Sequence, residues 1–206
     1  MIYGACFGIE LTVNNIAALY FHDRFNLSLG MAGLVASLFG LMNIFARTLG
    51  GMWRDQAGIK FGLKGRVMFM GIVLLLEGLA LVLFSQMAVL LWAVAAMTIS
   101  SLFVQMSEGA TFSVVPFINQ KALGLVAGIV GAGGNAGAVA AGFLFRIESL
   151  SVEQALLYLG IAVAGVAPLA LLVRFSSRDE AVERHAMERA LTERALLGSP
   201  TPSSAD

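Results

Sequence analysis

Charge is what this 206-residue chain has least of: Asp, Glu, Lys and Arg make up only 13% of it, against about 25% in an ordinary soluble domain. The few charges cancel to a formal net charge of zero, so there is no general electrostatic preference for nucleic acid, and no nucleic-acid motif occurs. Cysteine is reduced to Cys6, which excludes an intrachain disulfide and leaves the compartment unread. The two histidines, His22 and His185, lie far apart without other ligand-type residues beside them, so neither a metal site nor any other cofactor is expected. No Ser/His/Asp set or paired nucleophile and base emerges, and enzyme activity is not expected. The first residues lack a basic n-region and no small-residue cleavage site precedes a soluble domain, so Met1 to Phe21 reads as a span rather than a signal peptide.

What is abundant is apolar surface: 58% of the residues are hydrophobic and the mean hydropathy is +0.84. The expected fold class is an all-α, multi-span membrane protein whose surroundings are a lipid bilayer. Six hydrophobic runs can be counted: Met1 to Phe21, Leu29 to Trp53, Val67 to Gln86, Met87 to about Phe117 with Pro116 at its close, Ala122 to Phe145, and Ala155 to Phe175 with a kink at Pro168. Between the first two lies a polar turn, His22 to Ser28, and after the second a polar loop, Arg54 to Arg66.

Lys and Arg are distributed unevenly. Arg54, Lys60, Lys64, Arg66, Lys121, Arg174 and Arg178 fall on one side, and only Arg24 and Arg146 on the other, so both termini are expected in the cytosol. The organisation read from this is a six-helix transmembrane domain over residues 1–175, a cytosolic amphipathic helix over 176–197 with pairs such as Glu180 and Arg184, and a Ser- and Pro-rich disordered tail over 198–206.

The second run carries a single charge, Arg47, with Asn43 one turn before it. An arginine in hydrocarbon costs at least about 2.5–3.5 kcal/mol on insertion scales, and a water-filled cavity, a counter-charge or an anionic substrate has to offset that. The bland alternative is snorkelling toward Arg54 and the interface; Gly50 and Gly51 favour close helix packing instead. In the first run Tyr3, Phe7, Glu10 and Asn14 recur at spacings of four, three and four, on one helix face, as a cavity wall would require. Glu10, Glu77 and Glu108 are candidate counter-charges for Arg47 or proton-carrying acids; a structural hydrogen bond to a neighbouring helix explains each as well.

The fifth run contains GLVAGIVGAGGNAGAVAAG, residues 124–142, with Gly124, Gly128, Gly131, Gly133, Gly134 and Gly137 around Asn135. The small-xxx-small spacing of Gly124 with Gly128 and of Gly133 with Gly137 lets two backbones approach closely, and one amide can bond across such a contact. With no strand before it and enough apolar length to span, the segment is not a phosphate-binding loop.

GAGGNAG, QMSEGATFSVVPFI (residues 105–118), FARTLGGMWRD (45–55) and YGACFG (3–8) together resemble the nitrate/nitrite porter family of the major facilitator superfamily, specifically its C-terminal six-helix half, over about residues 1–175. The resemblance implies that Arg47 binds nitrate, that Tyr3 and Phe7 line the substrate cavity, and that the Gly-rich helix serves packing and sliding during alternating access. In the loop, Gln56 stands where the superfamily pattern has a basic residue. By the same resemblance the chain starts where the seventh helix should start. A missing N-terminal six-helix half, carrying a second arginine, is then the expected partner, whether the chain is a fragment, a separately encoded half or a self-assembling homodimer. The expected function is nitrate or nitrite transport across the cytoplasmic (inner) membrane. The alternatives are a non-transporting structural or assembly protein, or a half-transporter for another anion or an organic solute.

Overall fold

In hydrocarbon a chain satisfies its backbone only as helices or as a closed barrel, and helix is the only regular structure among the described residues. The computed structural model describes residues 1–118 and 122–173, the side chains of 113, 114 and 116–118 excepted, together with residues 180, 181 and 189. The elements are α1 (Ile2–Phe25), α2 (Leu29–Ser85), α3 (Leu90–Ile118), α4 (Leu123–Leu144) and α5 (Val152–Val166), the last continued by a 3-10 turn, Ala167–Leu172. All five helices, α5 taken together with its 3-10 turn, are long and apolar enough to cross a membrane. The 176–197 helix, the 198–206 tail and the Lys121 link lie outside the described residues, 180, 181 and 189 excepted.

Two expectations about boundaries need correcting. The turn expected at His22 begins later: α1 continues to Phe25 and ends at Asn26, whose left-handed φ of 51° stops it. The His22 Nδ1–H donates to the Leu27 carbonyl at 2.6 Å, and the Ser28 hydroxyl accepts from Met31 N to start α2, so three residues suffice for the reversal. The larger correction concerns the polar loop expected over Arg54 to Arg66. These residues are helical, and the single departure inside α2 is Gly62, with φ 62° and ψ −153°. That backbone conformation is essentially confined to glycine.

A straight helix of 57 residues would be about 85 Å long. Instead Phe84, near the end of α2, packs its ring 5.4 Å from Tyr20 and 6.2 Å from Phe21, next to where α2 begins. The two arms, 29–61 and 63–85, therefore double back on one another about Gly62. The corner is tight on its inner side. A Cβ at Gly58 would lie 2.7 Å from Arg66 Nε, and one at Gly65 would lie 2.7 Å from Phe61 Cβ. Asp55 accepts from Arg54 Nη2 at 2.6 Å and from Arg66 Nη1 at 3.2 Å, a clasp that spans the corner.

Helix α3 packs along α2, and the Ser101 hydroxyl donates to the Phe39 carbonyl at 2.6 Å. Pro116 falls two residues before the end of α3 rather than at it. Ser151 and Gln154 form a capping box at the start of α5, and Arg24 Nε bonds Glu153 at 3.0 Å, which ties the end of α1 to that start. Pro168 acts where a kink was expected, by a different route: the α-helix stops at Val166 and the chain goes on as a 3-10 turn with proline in its first positions. Helix α4 touches mainly α1 and is the least buried of the five.

Candidate anion site around Arg47

Glycine decides how near α3 comes to Arg47. A Cβ at Gly50 would lie 2.8 Å from Met106 Cα, and one at Gly109 would lie 3.4 Å from the Arg47 carbonyl oxygen, so the two helices run backbone against backbone here. Gln105 and Glu108, three apart on α3, are thereby brought to the guanidinium. Arg47 Nε donates to Gln105 Oε1 at 3.0 Å, while Nη2 donates to Glu10 Oε2 at 3.3 Å and to Glu108 Oε2 at closer range. Gln105 Nε2 and Asn43 Nδ2 both donate to Glu10 Oε1, at 2.9 and 3.0 Å. The side chain of Arg47 is turned toward α1 and α3 and does not snorkel.

One guanidinium thus faces two carboxylates. Glu10 and Glu108 are 9% and 2% exposed, whereas Arg47 is 44% exposed. Burying an unpaired carboxylate is untenable, so the two acids and the arginine hold one another in place. They are not held equally. Glu10 has three donors, Asn43, Gln105 and Arg47. Among the described residues Arg47 is the donor to Glu108, whose Oε1 accepts no hydrogen bond, and the Glu10 carboxyl lies within reach of it. On the arginine both Nη2 hydrogens are in use, and Nη1 makes no hydrogen bond among the described residues.

Tyr3 and Phe7 stack at 5.3 Å between ring centroids on the same face of α1, and Phe112 of α3 meets Tyr3 edge-on at 4.7 Å. Both rings rest on α4 at Gly134, where a Cβ would lie 2.8 Å from either. Asn14 sits exposed on this face next to Gly40 and takes no part in the hydrogen bonds of the cluster. Of the acids weighed as partners for Arg47, Glu77 is the one the structure places elsewhere. It is fully buried and accepts from the Ser107 hydroxyl, which faces the second arm of α2.

The Gly-rich helix divides in two. A Cβ at Gly4 would lie 2.8 Å from the Gly133 carbonyl oxygen and one at Gly8 would lie 2.8 Å from the Gly137 backbone, so α1 and α4 touch through glycines on both sides. Nothing lies within 4 Å of a Cβ built at Gly124, Gly128 or Gly131. Asn135 does not bond across the contact: its Nδ2 donates to the Gly131 carbonyl of its own helix at 3.2 Å.

Gln105 escaped the sequence reading as a site residue. The signal was present, since Gln105 is an amide inside a membrane-length helix and lies three residues, about one turn, from Glu108.

The chain is similar to several curated transporters. High affinity nitrate transporter 2.5 of Arabidopsis thaliana is 42% identical over 170 residues, 82% of this chain and 33% of its own length. High affinity nitrate transporter 2.7 of the same plant is 40% identical over 162 residues, 78% of this chain and 33% of the relative. Nitrate/nitrite transporter NrtP of Picosynechococcus sp. is 36% identical over 143 residues, 68% and 26% of the two chains. This chain spans about a third of the length of the curated relatives it matches. No solved structure matches it. The sequence profile of the Major Facilitator Superfamily matches residues 1–201, nearly the whole chain, and the chain belongs to that superfamily.

Proposed function

We propose that this chain is the C-terminal six-helix half of a nitrate/nitrite transporter that works by alternating access. The two arms of α2 serve as separate spans and, with α1, α3, α4 and α5, make six. The basic corner at Arg54 to Arg66, with the bias of the remaining Lys and Arg, supports both termini in the cytosol and residence in the cytoplasmic membrane. Residues 1–175 are the transmembrane domain. An N-terminal six-helix half, on the same or another polypeptide, completes the substrate site.

The observation that carries this reading is the arginine itself: a half-exposed guanidinium kept inside apolar helices by two buried carboxylates. Its planar fork matches a small planar oxyanion bidentately, which a lysine cannot do. Asn43 and Glu10 fix the approach, Tyr3 and Phe7 confine the anion, and Asn14 lines the same wall. Gly134, Gly137 and the Gly133 backbone, sliding on Gly4 and Gly8, provide the moving contact; Gly124, Gly128, Gly131 and Asn135 face outward from it and are available to the other half.

The test is Arg47→Lys in the assembled transporter in proteoliposomes, with labelled nitrate uptake as the readout. Uptake falling at least about 100-fold is expected, the cost of a lost bidentate charge-assisted pair of about 3 kcal/mol. Uptake within a few-fold of the unmodified protein would remove Arg47 from the binding role.

A further inference from the structure

The free Arg47 is already occupied. An anion gripping the Nη1/Nη2 edge of the guanidinium needs an Nη2 hydrogen, and both are spent on carboxylates. One of those carboxylates has to yield. Glu10 is pinned at Oε1 by Asn43 and Gln105, so neutralising it would work against three donors. Neutralising Glu108 works against one, and its Oε1 is a bare buried acceptor where a proton can settle.

We propose that Glu108 is a displaceable internal counter-anion for Arg47, which the incoming oxyanion replaces as Glu108 takes up one proton. This inference rests on the anion-site reading above and adds the coupling to it. The step is balanced: a proton from water in the open cleft adds to a Glu108 oxygen and forms an O–H bond, its hydrogen bond to Arg47 Nη2 is released, and the anion accepts from Nη1 and Nη2. Within this chain the cluster bears one net negative charge before the step, from Arg47, Glu10 and ionised Glu108. It bears the same charge afterwards, from Arg47, Glu10 and the anion. Without the proton it would carry two, in a low-dielectric site. Release of the anion returns the proton and lets Glu108 close on Arg47 again, so each passage carries one of each.

Among the described residues, Glu108 is the one carboxylate that both bonds Arg47 and has a bare buried oxygen. Tyr3, Cys6 and Glu10 face Glu108 from α1, and Arg47 and Glu77 from α2. Helix α4 carries no ionisable residue. Glu10 lies within hydrogen-bond reach of Glu108, so the two carboxylates repel each other as soon as Arg47 is shared with a third anion. Glu77 also has a bare Oε1, but it accepts from Ser107 and not from Arg47, so an anion arriving at the guanidinium displaces nothing from it.

The experiment measures proton uptake by the assembled transporter in weakly buffered detergent when nitrate is added, with nitrate affinity determined in parallel over a range of pH. One proton per bound nitrate is expected, with the Kd rising about tenfold per pH unit wherever Glu108 is ionised in the free protein. In Glu108→Gln, measured at nitrate concentrations that saturate whatever affinity the variant has, proton uptake falls below a tenth of a proton per bound nitrate, and in proteoliposomes an inward proton gradient no longer changes the rate of the uptake that remains. Glu108→Asp keeps the proton and the response to the gradient. Nitrate binding without proton uptake by the unmodified protein, or a Glu108→Gln variant that still responds fully to the gradient, overturns the inference and leaves the anion site standing. If Glu108→Gln does not assemble, the proton count of the unmodified protein decides. Failure of the unmodified protein to bind nitrate at any pH overturns the anion-site reading and this inference with it.

Discussion

Helix α2 carries two arginine–carboxylate clusters of opposite composition. Around Arg47 one cation serves two acids, both almost fully buried, with Asn43 and Gln105 filling the remaining hydrogen bonds. At the corner two cations, Arg54 and Arg66, share Asp55, whose side chain is 45% exposed. The first cluster joins three helices through hydrocarbon; the second joins the two arms of one helix at its polar end. Where water reaches the acid, its charge is solvated and the cluster serves geometry. Where water is excluded, every charge depends on the others, and adding one anion forces a change in protonation. Of the two clusters, the one around Arg47 holds more buried negative charge than positive, the composition that an added anion upsets.

Removing a cation tests that contrast most severely. Arg47→Ala leaves Glu10 and Glu108 facing each other with no counter-charge, and breaking a buried pair from one side costs about 3–5 kcal/mol. The expected outcome is a large drop in the denaturation midpoint in detergent micelles, partly reversed in the double variant Arg47→Ala with Glu108→Gln. A drop no larger than that seen at the corner would mean that the two clusters differ less than their burial implies.

The backbone at the corner comes next. Gly62→Ala places a Cβ on a residue at φ 62° and ψ −153°, which costs about 1–3 kcal/mol. Midpoint loss of that size is expected, with nitrate affinity kept, since the substitution acts on the corner and not on the Arg47 hydrogen bonds. Loss of affinity greater than about tenfold would show that the corner and the Arg47 cluster are coupled through the first α2 arm.

Much of this was legible in the sequence, and the parts that were not share a cause. Apolar run length gave the membrane class, and the lone charge of Arg47 with the i, i+3, i+4 row on α1 brought out Glu10, Tyr3 and Phe7. Composition could not separate a loop from a tight helical corner, because GIKFGLKG (residues 58–65) reads as polar and Gly-rich in either case. What distinguishes them is the φ of Gly62, which depends on arms that meet only in three dimensions. Choosing among Glu10, Glu77 and Glu108 as partners of Arg47 failed for the same reason: Ser107 and Glu108 are adjacent in sequence, and which faces which arm of α2 depends on how α3 is rotated. The glycines of α4 were recognisable as a packing device, but which of them touch α1 is set by the register of α4 against Gly4 and Gly8.

The smallest effect belongs to the solvated acid. Asp55→Asn keeps the shape of the clasp and one acceptor oxygen but removes the negative charge that Arg54 and Arg66 share across Gly62. Because the Asp55 side chain is nearly half exposed, the loss should be about 0.2–1 kcal/mol, measured as a midpoint shift in detergent at low salt. It should shrink as ionic strength rises from 0.01 to 1 M, where the screening length falls from about 30 Å to about 3 Å. A salt-independent loss above about 2 kcal/mol would place Asp55 in a water-excluded setting like that of Glu108. The corner would then store charge energy of its own, and the division between a geometric cluster and a binding cluster would no longer hold.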